Sequence, residues 1–201
     1  MNPIRSSRSA PSANPTWRTV RRPLFAVLCL PALAGCSLPI EPARLDTTRH
    51  FTLSGPVSDV ASAAGGLKVL PVRLAGHLQT RGVAVRVAEN EVVYLEDARW
   101  AESLADGITA LLRARLAGLA AEGTISVQVQ RCEPVRTEGE KVELNATYLF
   151  QPTGGGPARA GAFTAASRPW DGNDYGTLVG LLRDEINELG DAIAAAVAEE
   201  K

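Results

Sequence analysis

Residues able to carry acid–base or metal chemistry are few in this sequence. Glu91, Glu96, Asp97, Glu102 and Asp106 gather in one stretch, and a helix there would place Glu102 and Asp106, four apart, on one face. Paired carboxylates are what general acid–base hydrolysis uses. A solvated helical face with Asp97 as its N-cap explains the same residues without any chemistry. His50 and His77 are the only histidines. Neither has a cysteine or a second histidine at metal-ligand spacing, so both read as surface residues at strand ends. No Gly-x-Ser-x-Gly elbow, His-Glu-x-x-His helix or Cys-x-x-Cys pair occurs. The glycine run Pro152 to Pro157 (PTGGGP) lacks the Lys-Ser/Thr ending of a phosphate cradle and reads as a turn. No catalytic residue, metal or cofactor is expected.

The three cysteines say more. Cys132 has no partner for an internal disulfide once Cys29 and Cys36 are accounted for, and it reads as a quiet structural thiol. Cys29 lies in an apolar run, Pro23 to Gly35, that follows Arg18, Arg21 and Arg22 and ends on small residues. Spanning a bilayer takes roughly 20 apolar residues, so this run is too short and has the layout of a secretory signal peptide. Leu33-Ala34-Gly35-Cys36 resembles the bacterial lipobox. That resemblance implies that residues 1–35 are removed and that Cys36 is acylated as the mature N-terminus. An ordinary signal peptide cleaved a few residues later is the alternative. Several acyl chains on one cysteine make an effectively permanent anchor, since each buried methylene contributes about 0.8 kcal/mol. Ser37, rather than Asp, follows the cysteine, which for such lipoproteins implies the outer membrane, facing the periplasm. Residues 1–19 show no hydrophobic pattern and read as a mis-annotated start, with Val20 as the initiator. A codon other than GTG at position 20 would rule that out.

Residues 36–48 form the lipidated cysteine and a short tether holding Pro39 and Pro42. Twelve residues reach at most about 40 Å, so the domain, 49–201, stays close to its membrane and a partner must bridge any wider gap. Five arginines and no acids lie in residues 1–36. The remainder keeps 16 of the 21 basic side chains against all 22 acidic ones, a net of −6. Nucleic acid is therefore not an expected partner.

The elements that would position these residues follow from periodicity. Strands are expected at His50–Leu53, Leu67–Val72, Val83–Val87 and Val92–Leu95, the last two paired around Glu89-Asn90, with a short helical turn at Leu74–Leu78. A helix is expected from about Ala98 to Ala120, with Trp100, Leu104, Ile108, Leu112 and Leu116 on one stripe and Gly123 as its stop. Ile125, Val127 and Val129 alternate with Ser126, Gln128 and Gln130. Val142 to Phe150 repeats the pattern, and Ala158–Ala166 adds a further strand. A closing helix carries Tyr175, Leu178, Leu182, Ile186, Leu189, Ile193 and Val197. The expected fold class is α+β: a single, mainly antiparallel sheet of five or six strands with two amphipathic helices on one face.

Leu67 to Leu116 resembles the ABC-type transport auxiliary lipoproteins, the PqiC-like group. The matching residues are the strand ending Pro71-Val72, Arg81-Gly82-Val83-Ala84-Val85-Arg86, and above all Arg99-Trp100-Ala101-Glu102 with Leu104. His50-Phe51-Thr52-Leu53 sits where that family has its first aromatic strand. The family often has Leu-Pro-x-Tyr-Leu where this chain has Leu74-Ala75-Gly76-His77-Leu78, and Pro where Ser103 stands. The resemblance implies a non-catalytic accessory of an MCE-type system that moves lipid, phospholipid being the expected class, between the inner and outer membranes. An MCE-domain protein of an inner-membrane complex is the implied partner, and self-association into a ring would match a cyclic one. An independent lipid- or ligand-binding envelope lipoprotein is the alternative. Arg99, Trp100, Glu102 and Leu104 are the motif residues and candidate partner contacts. Trp100 also reads as the first core residue of the helix.

Overall fold

The computed structural model describes residues 46–55, 66–137 and 139–198. The described residues all belong to one compact unit, Leu45–Lys201. The expected signal peptide, Cys36 and the tether up to residue 45 lie outside them, as does the loop 56–65.

One sheet carries the domain. Its strands are β1 (Arg49–Phe51), β2 (Leu67–Val69), β3 (Arg73–Leu74), β4 (Gly82–Ala88), β5 (Glu91–Trp100), β6 (Gly123–Val135), β7 (Lys141–Pro152), β8 (Arg159–Thr164) and β9 (Arg168–Pro169). Helix α1 (Leu104–Leu116) joins β5 to β6, and α2 (Tyr175–Ala198) closes the chain. A 3-10 turn at Gly76–Leu78 stands within the expected helical turn. Along the sheet the order is β1-β5-β4-β6-β7-β8, while β2 and β3 extend along β6, and β9 along β7.

The fold is α+β as expected, but the sheet is mixed. β4–β5, β6–β7, β7–β8 and β7–β9 are antiparallel. β1 lies parallel to β5, and β2 and β3 lie parallel to β6. Alternation reports which face a strand buries and carries no information on strand direction. β1 and β2 fall within the strands expected at His50–Leu53 and Leu67–Val72, but their parallel direction, and that of β4 beside β6, was not legible, and β3 takes up the start of the expected helical turn.

Both helices lie on one face. Leu104, Ile108, Leu112 and Leu116 of α1 meet Leu178, Leu182, Ile186, Leu189 and Ile193 of α2 over Ile125, Val127, Val129, Leu144 and Phe150. Each such side chain contributes about 1.5–3 kcal/mol by leaving water. Gly190 permits the close crossing of the helices, because a Cβ there would stand 2.8 Å from Arg115 Cγ. Its helix-weakening effect, about 1 kcal/mol against Ala, is offset by that approach.

The largest departure is the start of α1. The expected helix from Ala98 is strand as far as Trp100. Ala98 and Trp100 pair with Arg49 and Phe51 of β1, and both are buried. Asp97 caps nothing; it accepts a hydrogen bond from the Tyr175 hydroxyl at 3.2 Å. The cap is Ser103, whose Oγ accepts from the Asp106 N–H at 3.0 Å. Trp100 and Leu104 stand four apart and fit a helical stripe, but Ala98 and Trp100 equally fit period two. Pairing with β1 decided between them. Gly123 likewise opens β6 instead of merely stopping a helix: a Cβ there would stand 2.5 Å from the Gln151 carbonyl oxygen.

Candidate functional site

The Arg99–Leu104 turn forms a clamp. At the end of β5, the Trp100 N–H donates to the Arg81 carbonyl at 2.7 Å, and the Ala101 N–H donates to the Phe51 carbonyl at 2.8 Å. The chain then turns at Glu102 and enters α1. Glu102 Oε1 accepts from the N–H groups of Leu53 (2.9 Å) and Ser54 (3.0 Å), and the Ser54 hydroxyl reaches both carboxylate oxygens at 2.8 and 2.7 Å. Gly107 leaves room for this, since a Cβ there would come within 3.0 Å of both Glu102 Oε1 and Leu53 Cβ. Arg183 of α2 completes the clamp by donating to the Leu53 carbonyl at 3.0 Å.

The motif residues therefore separate by role. Trp100 and Leu104 are each 3% exposed and belong to the core. Glu102 is consumed by its own backbone contacts, and it does not share a helical face with Asp106, because it precedes the helix. Only Arg99 is exposed. Glu102→Ala should remove the acceptor of two backbone N–H groups and cost about 1–3 kcal/mol. Its signature is a lower urea midpoint together with faster exchange of the Leu53 and Ser54 amides than of core amides.

Beside the clamp runs a groove of about 890 Å³. Its apolar lining comes from Val72, Leu74, Leu78 and Leu104; Arg73, Gln79, Thr80 and Arg81 form one rim, and Ser103 and Asp106 the other. The Val72 N–H donates to Thr109 Oγ1 at 3.0 Å, tying the β2–β3 segment to α1 and fixing the wall. Among the described residues no ion pair holds Arg73 or Arg81. A second, shallower groove of about 490 Å³ crosses the sheet face opposite the helices, at Ser126, Gln128, Thr147, Leu149, Ala160 and Ala162. The one-sided polarity expected of β6 and β7 is this open face.

Two buried carboxylates, Glu133 and Glu185, were not foreseen. Glu133 is fully buried; Arg86 Nε donates to its Oε1 at 2.6 Å, and His77 Nε2 stands 2.9 Å from its Oε2. His77 is thus no plain surface residue, whereas His50 is exposed. Glu185 of α2 is fully buried and neither carboxylate oxygen has a hydrogen-bond partner. Burial pushes its carboxyl up to about 8, with Glu188 and Glu143 adding to the rise and Arg168 opposing it. Cys132 is 3% exposed, and burial, with the nearby Glu185 and Glu133, holds its thiol far above the ordinary thiol range. A thiol so held supplies no thiolate for chemistry. Glu185 could have been found: it continues the 178–182–189 spacing of the buried stripe. Glu133 could not: plain alternation from Val129 would aim it at the core, whereas the register shift between Val129 and Arg131 sets it on the opposite face across from Glu143, where Arg86 and His77 meet it.

Among the described residues no three His, Cys, Asp or Glu side chains converge as a metal site. Nor is any described helix long and apolar enough to cross a membrane. The geometry is that of a rigid surface with a lined groove.

Two crystal structures share the fold. One, of an uncharacterized protein, superposes with a TM-score of 0.61 at 18% identity, over 75% of this chain and 99% of that one. The other, of a Xanthomonas campestris protein, gives a TM-score of 0.59 at 14% identity, over 76% and 100%. A comparison with curated proteins finds no match. Residues 51–194 match the family described as the ABC-type transport auxiliary lipoprotein component. That span holds the clamp, the groove, α1 and all but the last turn of α2, and the chain belongs to this family.

Proposed function

We propose that this chain is an outer-membrane-anchored, periplasmic lipoprotein that serves, without catalysis of its own, an MCE/ABC-type lipid transport system spanning the two membranes. The observation that carries the reading is the family match over residues 51–194 in a chain whose residues 33–36 read Leu-Ala-Gly-Cys. A passive domain on a short leash needs its partner to come to it. The groove rimmed by Arg73, Gln79, Thr80 and Arg81 is the docking surface, and an inner-membrane MCE-domain protein is its occupant. The buried Trp100 offers that partner no surface; its role is to hold the wall in place.

Two measurements test this. Cys36→Ser should abolish palmitate incorporation and move the protein from the membrane to the soluble fraction. A Cys36→Ser protein that still takes up label, or stays with the outer membrane, sinks the anchor. Photo-crosslinkers at Gln79 and Thr80 should capture an MCE-domain protein in cells, and Arg73→Glu with Arg81→Glu should cut capture at least tenfold. Crosslinks that never contain such a protein, while the domain is folded and anchored, sink the docking role. Lipid retained by the isolated protein in native mass spectrometry would favour a carrier instead.

A further inference from the structure

The two grooves meet at one residue, since Gln128 lines both the groove beside the clamp and the shallow groove of the open face. Strand register explains the meeting. Arg73 of β3 lies opposite Gln128 of β6, Gln128 opposite Thr147 of β7, and Thr147 opposite Ala162 of β8. Residues opposite one another share a face of the sheet, so these four form a row across four strands. Three strand spacings make that row about 14 Å long. A second row, Ser126, Leu149 and Ala160, runs beside it.

Charge is spread unevenly along this track. Arg73 and Arg81 stand exposed at one end, and among the described residues neither side chain makes a hydrogen bond or ion pair. In the open-face groove every lining residue is uncharged. The acids opposite one another farther along the same face are already paired. Glu133 is buried against Arg86, and Glu143 meets Arg131 at 2.8 Å. Of the carboxylates lining the groove beside the clamp, Glu102 is held by Leu53 and Ser54, and Asp106 stands on the rim across from the arginines.

We propose that this track seats an extended segment of the docking partner, acidic at one end and uncharged over the rest. Its carboxylates meet Arg73 and Arg81, and its remainder crosses β6, β7 and β8. The inference rests on the reading that the groove beside the clamp docks an MCE-domain protein, and it adds where that partner continues and what chemistry it carries. About four extended residues cover the row. A free guanidinium gains most from a carboxylate, which it binds through two parallel hydrogen bonds. The lining favours a polypeptide over a lipid chain. An acyl tail gains only by leaving water, and a shallow groove edged by Ser126, Gln128 and Thr147 leaves it wet. A peptide backbone instead offers C=O and N–H groups to those hydroxyls and that amide. Leu149, 41% exposed, gives one apolar contact between them, and Ala160 and Ala162 keep the floor low. A second copy laid face to face would bring arginines to this track and no free carboxylate.

The test is photo-crosslinking in cells from Leu149 and Ala162, both exposed, alongside Gln79 and Thr80. All four positions should capture the same MCE-domain protein. The captured residues should fall in one stretch of its sequence, with Asp or Glu at the end reached from Gln79 and Thr80. Arg73→Glu with Arg81→Glu should cut capture from Leu149 and Ala162 about tenfold or more, although neither arginine lines that groove. Arg73→Lys with Arg81→Lys should keep most of it, and both variants should have the parent's circular dichroism spectrum. Capture from Gln79 and Thr80 alone overturns this proposal and leaves the docking role standing. Capture from none of the four overturns both. Capture at Leu149 and Ala162 that is indifferent to the charge reversal also overturns it. So does capture there of lipid, of a second copy, or of the chain's own residues 37–45 or 56–65.

Discussion

Arg86→Met is expected to cost this fold about 3–5 kcal/mol. Glu133 is entirely out of water, and Arg86, itself only 11% exposed, supplies the shorter of its two contacts. Removing the guanidinium leaves a buried carboxylate with His77 as its remaining polar partner, and an uncompensated buried charge costs in that range. The same arginine donates through Nη1 to the Glu89 carbonyl at 2.9 Å, closing the β4–β5 hairpin. Its carbonyl accepts from Arg136 N–H at 2.8 Å, where β4 meets β6. The denaturant midpoint should fall with little change in m-value. Glu133→Gln in the same background should recover much of the loss, because it removes the orphaned charge. A single Arg86→Met variant within 1 kcal/mol of the parent would refute the dependence of the fold on this pair.

Glu185 makes stability fall as pH rises. Its folded-state value, about 8, lies above the ordinary 4.5. Between those limits the folded state holds a proton that the unfolded chain releases. The contribution is complete below about pH 4.5, declines through the interval and levels off above about pH 8. At about 1.4 kcal/mol for each pH unit, the interval bounds the loss at about 5 kcal/mol. Glu185→Leu should flatten this slope and leave the protein more stable at pH 8.5 by a few kcal/mol, since the replacement is apolar and its surroundings include Leu182, Ile186 and Leu189. Thermal melting of both proteins at pH 5 and pH 8.5 reads the difference. Parallel curves for the two would refute the assignment.

Both effects sit on groups that a reading of residue types does not reveal. The two helices, the β4–β5 hairpin and the β6–β7 pair were legible because their apolar residues recur at periods of 3.6 and 2. Their burial follows that pattern closely, from Leu178 to Val197 on α2 and from Ile125 to Val129 on β6. The β5–α1 junction was not, because Trp100 satisfies both periods and only β1, nearly fifty residues earlier, selects strand. The Ser103-x-x-Asp106 cap was a local signal that went unused. Within Arg99–Leu104, Glu102 reads in sequence as a solvated carboxylate and is in the structure a backbone anchor. No pattern in one sequence announces that two N–H groups 48 and 49 positions away will meet it.

The clamp has a mechanical meaning. Tension applied to the chain ahead of Arg49 would enter the fold there and run along β1, loading its bonds to parallel β5 lengthwise. Just past that strand, Glu102 grips the Leu53 and Ser54 amides and Arg183 grips the Leu53 carbonyl. Such a pull would thus be handed to the turn before α1, which itself lines the groove, and to the body of α2 before it reached the sheet's interior.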